Sequence, residues 1–357
     1  MARGSADSTG WRTIGPQMPS GAMFPHAWAQ RRFSMAVSGR GMEAPGRDYG
    51  SGATLSVLTL DGDAARTPVA QFLKTVHGVA GLRHPNVEEL VGCCVEHGQR
   101  LLVYKHFSDR TLDDMLHFEH GASETGDTLR WDARISVALE AAKALDYATM
   151  DTLCLPSVFA DEPVSVPGVL CNARYLHEGA GKQVVHRHFR PEHVLVDGEL
   201  RVSVSECGLA PFVAQLSDYC GVTLSYEPPE AAGGGGAAAW TPKGDVYSFG
   251  VMMLQLLTGR RPYDSSRARG ERHLVPWASA RLYDLAALGK MADPRLAASP
   301  PPVRSLSRLA DIISRCIQQE AEFRPAMSQV AQDLRRALED ARAGTGTGKG
   351  SGGAAQA

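Results

Sequence analysis

His186-Arg187-His188-Phe189-Arg190-Pro191-Glu192-His193, followed by Glu206-Cys207-Gly208 from 18 residues after His188, brings three imidazoles and two carboxylates close together in the chain. On an extended segment, residues two apart project to the same side. His186 and His188, joined by His193, Glu206 and His177, therefore make one candidate set of metal ligands. Whether these groups bind metal, move protons or do neither depends on the frame around them.

The frame is large enough to bury a core. The chain has 357 residues, 43% of them apolar and 21% charged, which suits a two-lobed globular unit with flexible ends. A net charge of -2, from 37 basic and 39 acidic residues, gives no long-range field to attract nucleic acid or an anionic membrane. Seven cysteines without a C-x-x-C pair argue against a disulfide framework or a zinc ribbon and fit reduced thiols in the cytosol. No run of 18 apolar residues occurs, and the first 40 residues hold no signal-peptide core, so no direct membrane insertion is expected.

Working outward, residues 1–50 mix Gly, Ser, Pro, Met and Arg without period and are expected to be a disordered leader. Leu55, Val57 and Leu60 make a strand-like pattern, and a helical stretch follows from Pro68 to Gly81. Leu101-Leu102-Val103-Tyr104 reads as a buried strand and Asp109 to Leu116 as a short helix. Trp131, Ile135, Leu139, Ala142 and Leu145 recur at helical intervals over residues 130–147. Residues 148–175, with Pro156, Pro163 and Pro167, read as an irregular insertion that splits a helix continuing at Leu176-His177-Glu178. Asp245 to Thr258 is apolar on nearly every side, with Asp245 a candidate cap at its start and Gly259 at its end. Further helices are expected at Leu306 to Cys316 and Met327 to Leu338, before a Gly-rich tail.

From about Leu55 to Leu338 the chain resembles a plant leucine-rich-repeat receptor-like kinase domain, and within that group the STRUBBELIG-receptor family. The phrases that carry the resemblance are Leu82-Arg83-His84-Pro85-Asn86, Val95 to Tyr104, Thr111 to Phe118, Asp245-Val246-Tyr247-Ser248-Phe249-Gly250 and Phe323-Arg324-Pro325, in that order. The resemblance implies an α+β, bilobal protein-kinase-like fold. Residues 51–107 would be a small, degenerate β-rich N-lobe, 108–340 a large helical C-lobe with 148–175 inserted, and 341–357 a flexible tail.

The same resemblance implies where the chemistry should sit. Phosphoryl transfer needs a lysine–glutamate pair on the phosphates, two groups on magnesium and a carboxylate facing the substrate hydroxyl. Those positions fall at Leu58, Thr75, His193, Glu206 and His188. Imidazole lacks the fixed negative charge of a carboxylate, and magnesium prefers oxygen donors. Glu206 alone keeps a carboxylate, so cofactor binding would rest on Glu206 at most. A glycine loop survives only as Gly39-x-Gly41 with Gly46 and Tyr49, against which plain linker is the blander reading. By contrast, Glu230 and Arg324 match a lobe-stabilising ion pair, Asp245 a residue that steadies the catalytic loop, and His186 a packing position. Arg187 is a regulatory candidate that could meet a phosphate on Ser217, Tyr219, Thr223, Ser225 or Tyr226. The expectation is therefore a catalytically impaired pseudokinase, a signalling and interaction module with no metal or cofactor of its own. Its partners would be receptor-kinase components, in the cytoplasm or at the inner face of the plasma membrane through those partners. A residual ATP- and magnesium-dependent Ser/Thr kinase is the alternative, and the His-rich metal site is the remote one.

Overall fold

A computed structural model describes residues 32–36, 42–44, 47–49, 54–60, 67–96, 99–117, 129–149, 164–166, 169–171, 184–209, 212, 225–231 and 241–346. The chain divides into two compact units. The first takes residues 1–109, 148–186 and 204–219, and the second takes 110–147, 187–203 and 220–357. The first boundary lies two residues beyond the expected end of the small lobe. The strand-rich unit also gathers two later segments that the sequence pattern assigns to the helical lobe.

In the strand-rich unit, strands β1 (Arg32–Ala36), β4 (Thr54–Leu60), β6 (Gln99–Lys105) and β5 (Leu90–Glu96) form one sheet in the order β1-β4-β6-β5. All its pairings are antiparallel. A short hairpin of β2 (Met42–Ala44) and β3 (Arg47–Tyr49) lies between the first two strands in the chain. The leader expected over residues 1–50 is thus corrected: three strands fall within it. A five-residue strand in Gly- and Pro-rich surroundings gives too short a pattern to read alone, and it is β4 that supplies its backbone partners. Residues 1–31 lie outside the described residues.

Leu55, Val57, Leu58 and Leu60 of β4 are all buried. Helix α1 (Val69–Ala80) buries Phe72, Val76 and Val79. Phe72 meets Phe212 at 5.2 Å between ring centroids, and the Arg100 guanidinium lies 5.3 Å over the Phe72 ring. The expected irregular insertion at 148–175 contains an antiparallel hairpin, β7 (Val164–Val166) with β8 (Val169–Cys171). Three-residue strands fall below what periodicity can resolve. The Val184 amide donates to the Ala148 carbonyl at 3.0 Å, so the chain returns to the end of the helix it left. The expected continuation at 176–178 lies outside the described residues.

The helical unit begins with α2 (Leu112–His117). It starts with a reciprocal cap: the Thr111 amide donates to Asp114 Oδ2 at 2.9 Å, and the Asp114 amide donates to Thr111 Oγ1 at 3.1 Å. Helix α3 (Trp131–Thr149) follows, then the paired strands β9 (Val194–Val196) and β10 (Val202–Val204). Helix α4 (Pro242–Thr258) is buried without interruption from Gly244 to Thr258. It starts three residues before Asp245, with Thr241 at the cap position and Pro242 in its first turn, so Asp245 is not its N-cap. Gly259 ends it in the left-handed conformation, φ 66°, its amide on the Gln255 carbonyl.

Helices α5 (Leu274–Ser279), α6 (Leu285–Met291), α7 (Val303–Cys316) and α8 (Met327–Gly346) complete the unit. A Cβ on Gly250 would stand 2.9 Å from that of Cys316, so α4 and α7 cross at glycine distance. Burial there pushes the Cys316 thiol up to about 12. The Trp131 indole donates to Ser305 Oγ, which donates to the Ala337 carbonyl, both at 2.9 Å, and the relay ties α3, α7 and α8. Arg134, 1% exposed, pairs with Asp293 at 2.7 Å and donates to the Leu129 and Leu256 carbonyls. The tail expected from residue 341 is corrected at its start, because α8 runs to Gly346, and residues 347–357 lie outside the described residues. Ala341 is fully buried, and Asp340 is gripped by Arg304 at 3.2 Å and Arg308 at 2.8 Å.

Candidate functional site

In the helical unit, Arg187 to His193 forms a loop pinned to α4. Arg187 has φ 65°, a costly conformation for a side chain with a Cβ, and its amide donates to Asp245 Oδ1 at 2.8 Å. Asp245 is 1% exposed, so a buried carboxylate holds the strained turn in place. Phe189 packs on Phe249 of α4 with centroids 5.8 Å apart.

A single 3-10 turn, Pro191–His193, then leads into β9. His193 Nδ1 lies 2.7 Å from the His188 carbonyl oxygen, so it carries the proton and donates. The two imidazoles stand 4.8 Å apart, tilted by 52°. Arg190 Nη2 donates to His188 Nε2. Guanidinium has no lone pair to offer, so His188 Nε2 is the acceptor, and the lone pair that a general base would use is engaged. Arg190 is not among the positions that the sequence motifs single out. Its signal is a permanent positive charge two residues after His188, inside the same loop.

In the strand-rich unit, His186 is 1% exposed with Nε2 3.0 Å from the Ser205 carbonyl. That contact suits a packing histidine and competes with metal ligation. Glu206 is 2% exposed and has φ 60°, and its carbonyl accepts from the Leu209 amide at 3.1 Å. Gly208 has φ 74°, and a Cβ there would come within 2.6 Å of Val79 Cγ1. Leu58 is buried in β4 opposite Leu102, and Thr75 Oγ1 donates to the Gln71 carbonyl within α1. Neither side chain can make an ion pair. His177, Gly39, Gly41 and Gly46 lie outside the described residues.

At the position where the resemblance expects a hard oxygen for magnesium, His193 offers an imidazole nitrogen.

The scaffold positions are fully engaged. Arg324 forks onto Glu230, Nη1 to Oε1 at 2.7 Å and Nη2 to Oε2 at 2.8 Å. It also donates to the Gln318, Lys243 and Gln319 carbonyls. Burial pushes the Glu230 carboxyl upward, but the fork outweighs it and holds the group below the usual carboxylate range. Among the residues expected to meet Arg187 through a phosphate, Ser217, Tyr219 and Thr223 lie outside the described residues. Tyr226 is 5% exposed, and its phenol oxygen accepts from Gln255 Nε2 at 2.7 Å, which removes it as an accessible acceptor. Gln255 Oε1 in turn meets His117 Nε2 at 3.1 Å. Burial, then Arg261, lowers His117 to about 4 and keeps it neutral.

Residues 165–334 match the family described as Protein kinase domain, and residues 33–154 match Protein tyrosine and serine/threonine kinase. The protein STRUBBELIG-RECEPTOR FAMILY 3 of Arabidopsis thaliana is 44% identical over 77% of this chain and 32% of its own length. Protein STRUBBELIG of the same plant is 38% identical over 80% of this chain and 33% of its own length. The chain thus spans about a third of the curated STRUBBELIG relatives it matches. PTI1-like tyrosine-protein kinase 1, also from Arabidopsis thaliana, is 33% identical over 86% of this chain and 78% of its own length. Among solved structures, the pseudokinase domain of BIR2, an immune regulator of the RLK/Pelle family, superposes with a TM-score of 0.57 at 23% identity. That match covers 85% of this chain and 80% of that one. The fold is the bilobal protein-kinase fold, and the chain belongs to the plant receptor-like kinases of the STRUBBELIG-receptor family.

Proposed function

We propose that this chain is a pseudokinase, a kinase-shaped module that signals by binding protein partners in a plant receptor-kinase pathway. The observation that carries the reading is the His188–Arg190 contact: the side chain in the base position lacks a negative charge, and its lone pair faces a guanidinium. Leu58, Thr75 and His193 add to it, since none supplies the group that phosphoryl transfer needs there. Taken together, and allowing that such groups act as a unit, the losses imply transfer about a millionfold slower than in an intact kinase. The STRUBBELIG relatives are named as receptors, which supports a place beside receptor kinases at the inner face of the plasma membrane.

The test is transfer of radiolabelled phosphate from ATP, with magnesium or manganese, to a general acceptor protein. No incorporation above background is expected. Ordinary incorporation that disappears in Glu206→Ala would overturn the reading. Glu206 favours one second reading, residual ATP-dependent kinase activity, because a buried carboxylate is kept at a metal position. A saturable rise in melting temperature with ATP and magnesium would support that alternative.

A further inference from the structure

The segment from Gly259 to Arg281 holds six arginines, Arg260, Arg261, Arg267, Arg269, Arg272 and Arg281, no lysine, and two carboxylates, Asp264 and Glu271, in a chain whose net charge is -2. Its centre is a closed loop on the helical unit. Tyr263 bridges His273, the Asp264 amide donates to the Arg272 carbonyl at 2.9 Å, and the Leu274 amide donates to the Pro262 carbonyl at 2.9 Å. Asp264 is engaged inside the loop by Ser266 and by Arg267 Nε at 3.0 Å. Behind it, the Arg260 guanidinium stacks 3.8 Å over Trp277, which also carries Arg281 at 4.9 Å. Arg260 Nη2 reaches the Glu271 carbonyl at 2.6 Å, closing the base of the loop. Arg267, Arg269 and Arg272 remain exposed at the tip.

We propose that this arginine loop docks a phosphorylated, acidic peptide segment of a partner protein. Guanidinium forks match phosphate oxygens in pairs, which a lysine ammonium cannot do, and the loop uses arginine throughout. The backbone bonds that close the loop hold its tip ready, so little ordering is left for the moment of binding. A lipid surface fits less well. Residues 265–270 are all exposed, and the largest apolar side chain among them is Ala268, so nothing can insert beneath the headgroups. Three guanidiniums alone hold a protein only weakly to an anionic bilayer. Two of them on one phosphate make a local, charge-assisted site.

The test uses the purified full chain without nucleotide, read by fluorescence anisotropy of a fluorescein-labelled acidic peptide carrying one phosphoserine. The phosphopeptide is expected to bind at least about tenfold tighter than its unphosphorylated twin, and inorganic phosphate is expected to compete. Arg269→Glu with Arg272→Glu should weaken it by at least about tenfold, while Arg335→Glu, a single charge reversal of the same kind on α8, leaves it unaltered. Matching melting temperatures establish that the variants fold. If the double variant unfolds, Arg269→Ala carries the same expectation. Equal binding of the twin, an equal loss in Arg335→Glu, no binding of either peptide, or binding to phosphatidylserine vesicles alone would overturn the proposal. Phosphoryl transfer by the chain would overturn the proposed function and leave this docking site standing.

Discussion

Two arginine pairs of the helical unit contrast sharply. Arg324 meets a carboxylate with two parallel bonds and reaches three backbone carbonyls as well. Arg190 meets a neutral imidazole through one nitrogen. The first arrangement joins opposite charges in a fixed fork, so losing either partner strands the other. The second joins a cation to a neutral acceptor and can be lost at small cost. On the proposed pseudokinase reading, residues whose removal would loosen the unit are kept, whereas positions whose change costs only chemistry are refilled.

The sharpest way to break this contrast is Arg324→Ala. A loss of about 3 to 5 kcal/mol is expected by urea denaturation, and a loss near that of His188→Ala would dissolve the distinction. Next comes acid. His117 stays neutral to about 4 in the folded unit against 6.5 when free, so the unfolded chain binds its proton first. Stability is untouched above 6.5 and falls by about 3 kcal/mol as pH drops from 6.5 to 4. His117→Gln should flatten that slope.

A smaller step follows at Asp293. Burial there pushes the carboxyl up, but the Arg295 and Arg134 contacts win and hold it at about 2 against the usual 3.8. Its contribution of about 2 kcal/mol is present above 3.8 and lost as pH falls toward 2. In Asp293→Asn that acid-dependent portion should vanish. Smallest of all is His188→Ala, expected to shift stability by less than about 1 kcal/mol because it removes one bond to a neutral ring.

Long periodic elements are legible in the amino-acid sequence alone. The apolar run of α4 and the helical spacing of α3 need many residues to bury a face, and many residues leave a pattern. The four-stranded sheet is only half legible, because β1 is five residues in glycine-rich surroundings and its pairing with β4 is a property of the partner. Arg134 with Asp293 is invisible, since two charges far apart in the chain announce nothing until folding buries both. At the candidate site, the positions expected to carry the chemistry can be placed by resemblance. The lone-pair contact from Arg190 cannot, because it depends on the backbone turn between Arg187 and His193.

The glycine-distance crossing of α4 and α7 has a practical corollary. Cys316 sits at that crossing with a thiol that ionises only near 12, so alkylating reagents meet it as an inert group while the helices stay together. Its labelling therefore works as a clock for transient separation of those two helices, and a partner that clamps the helical unit would slow that clock.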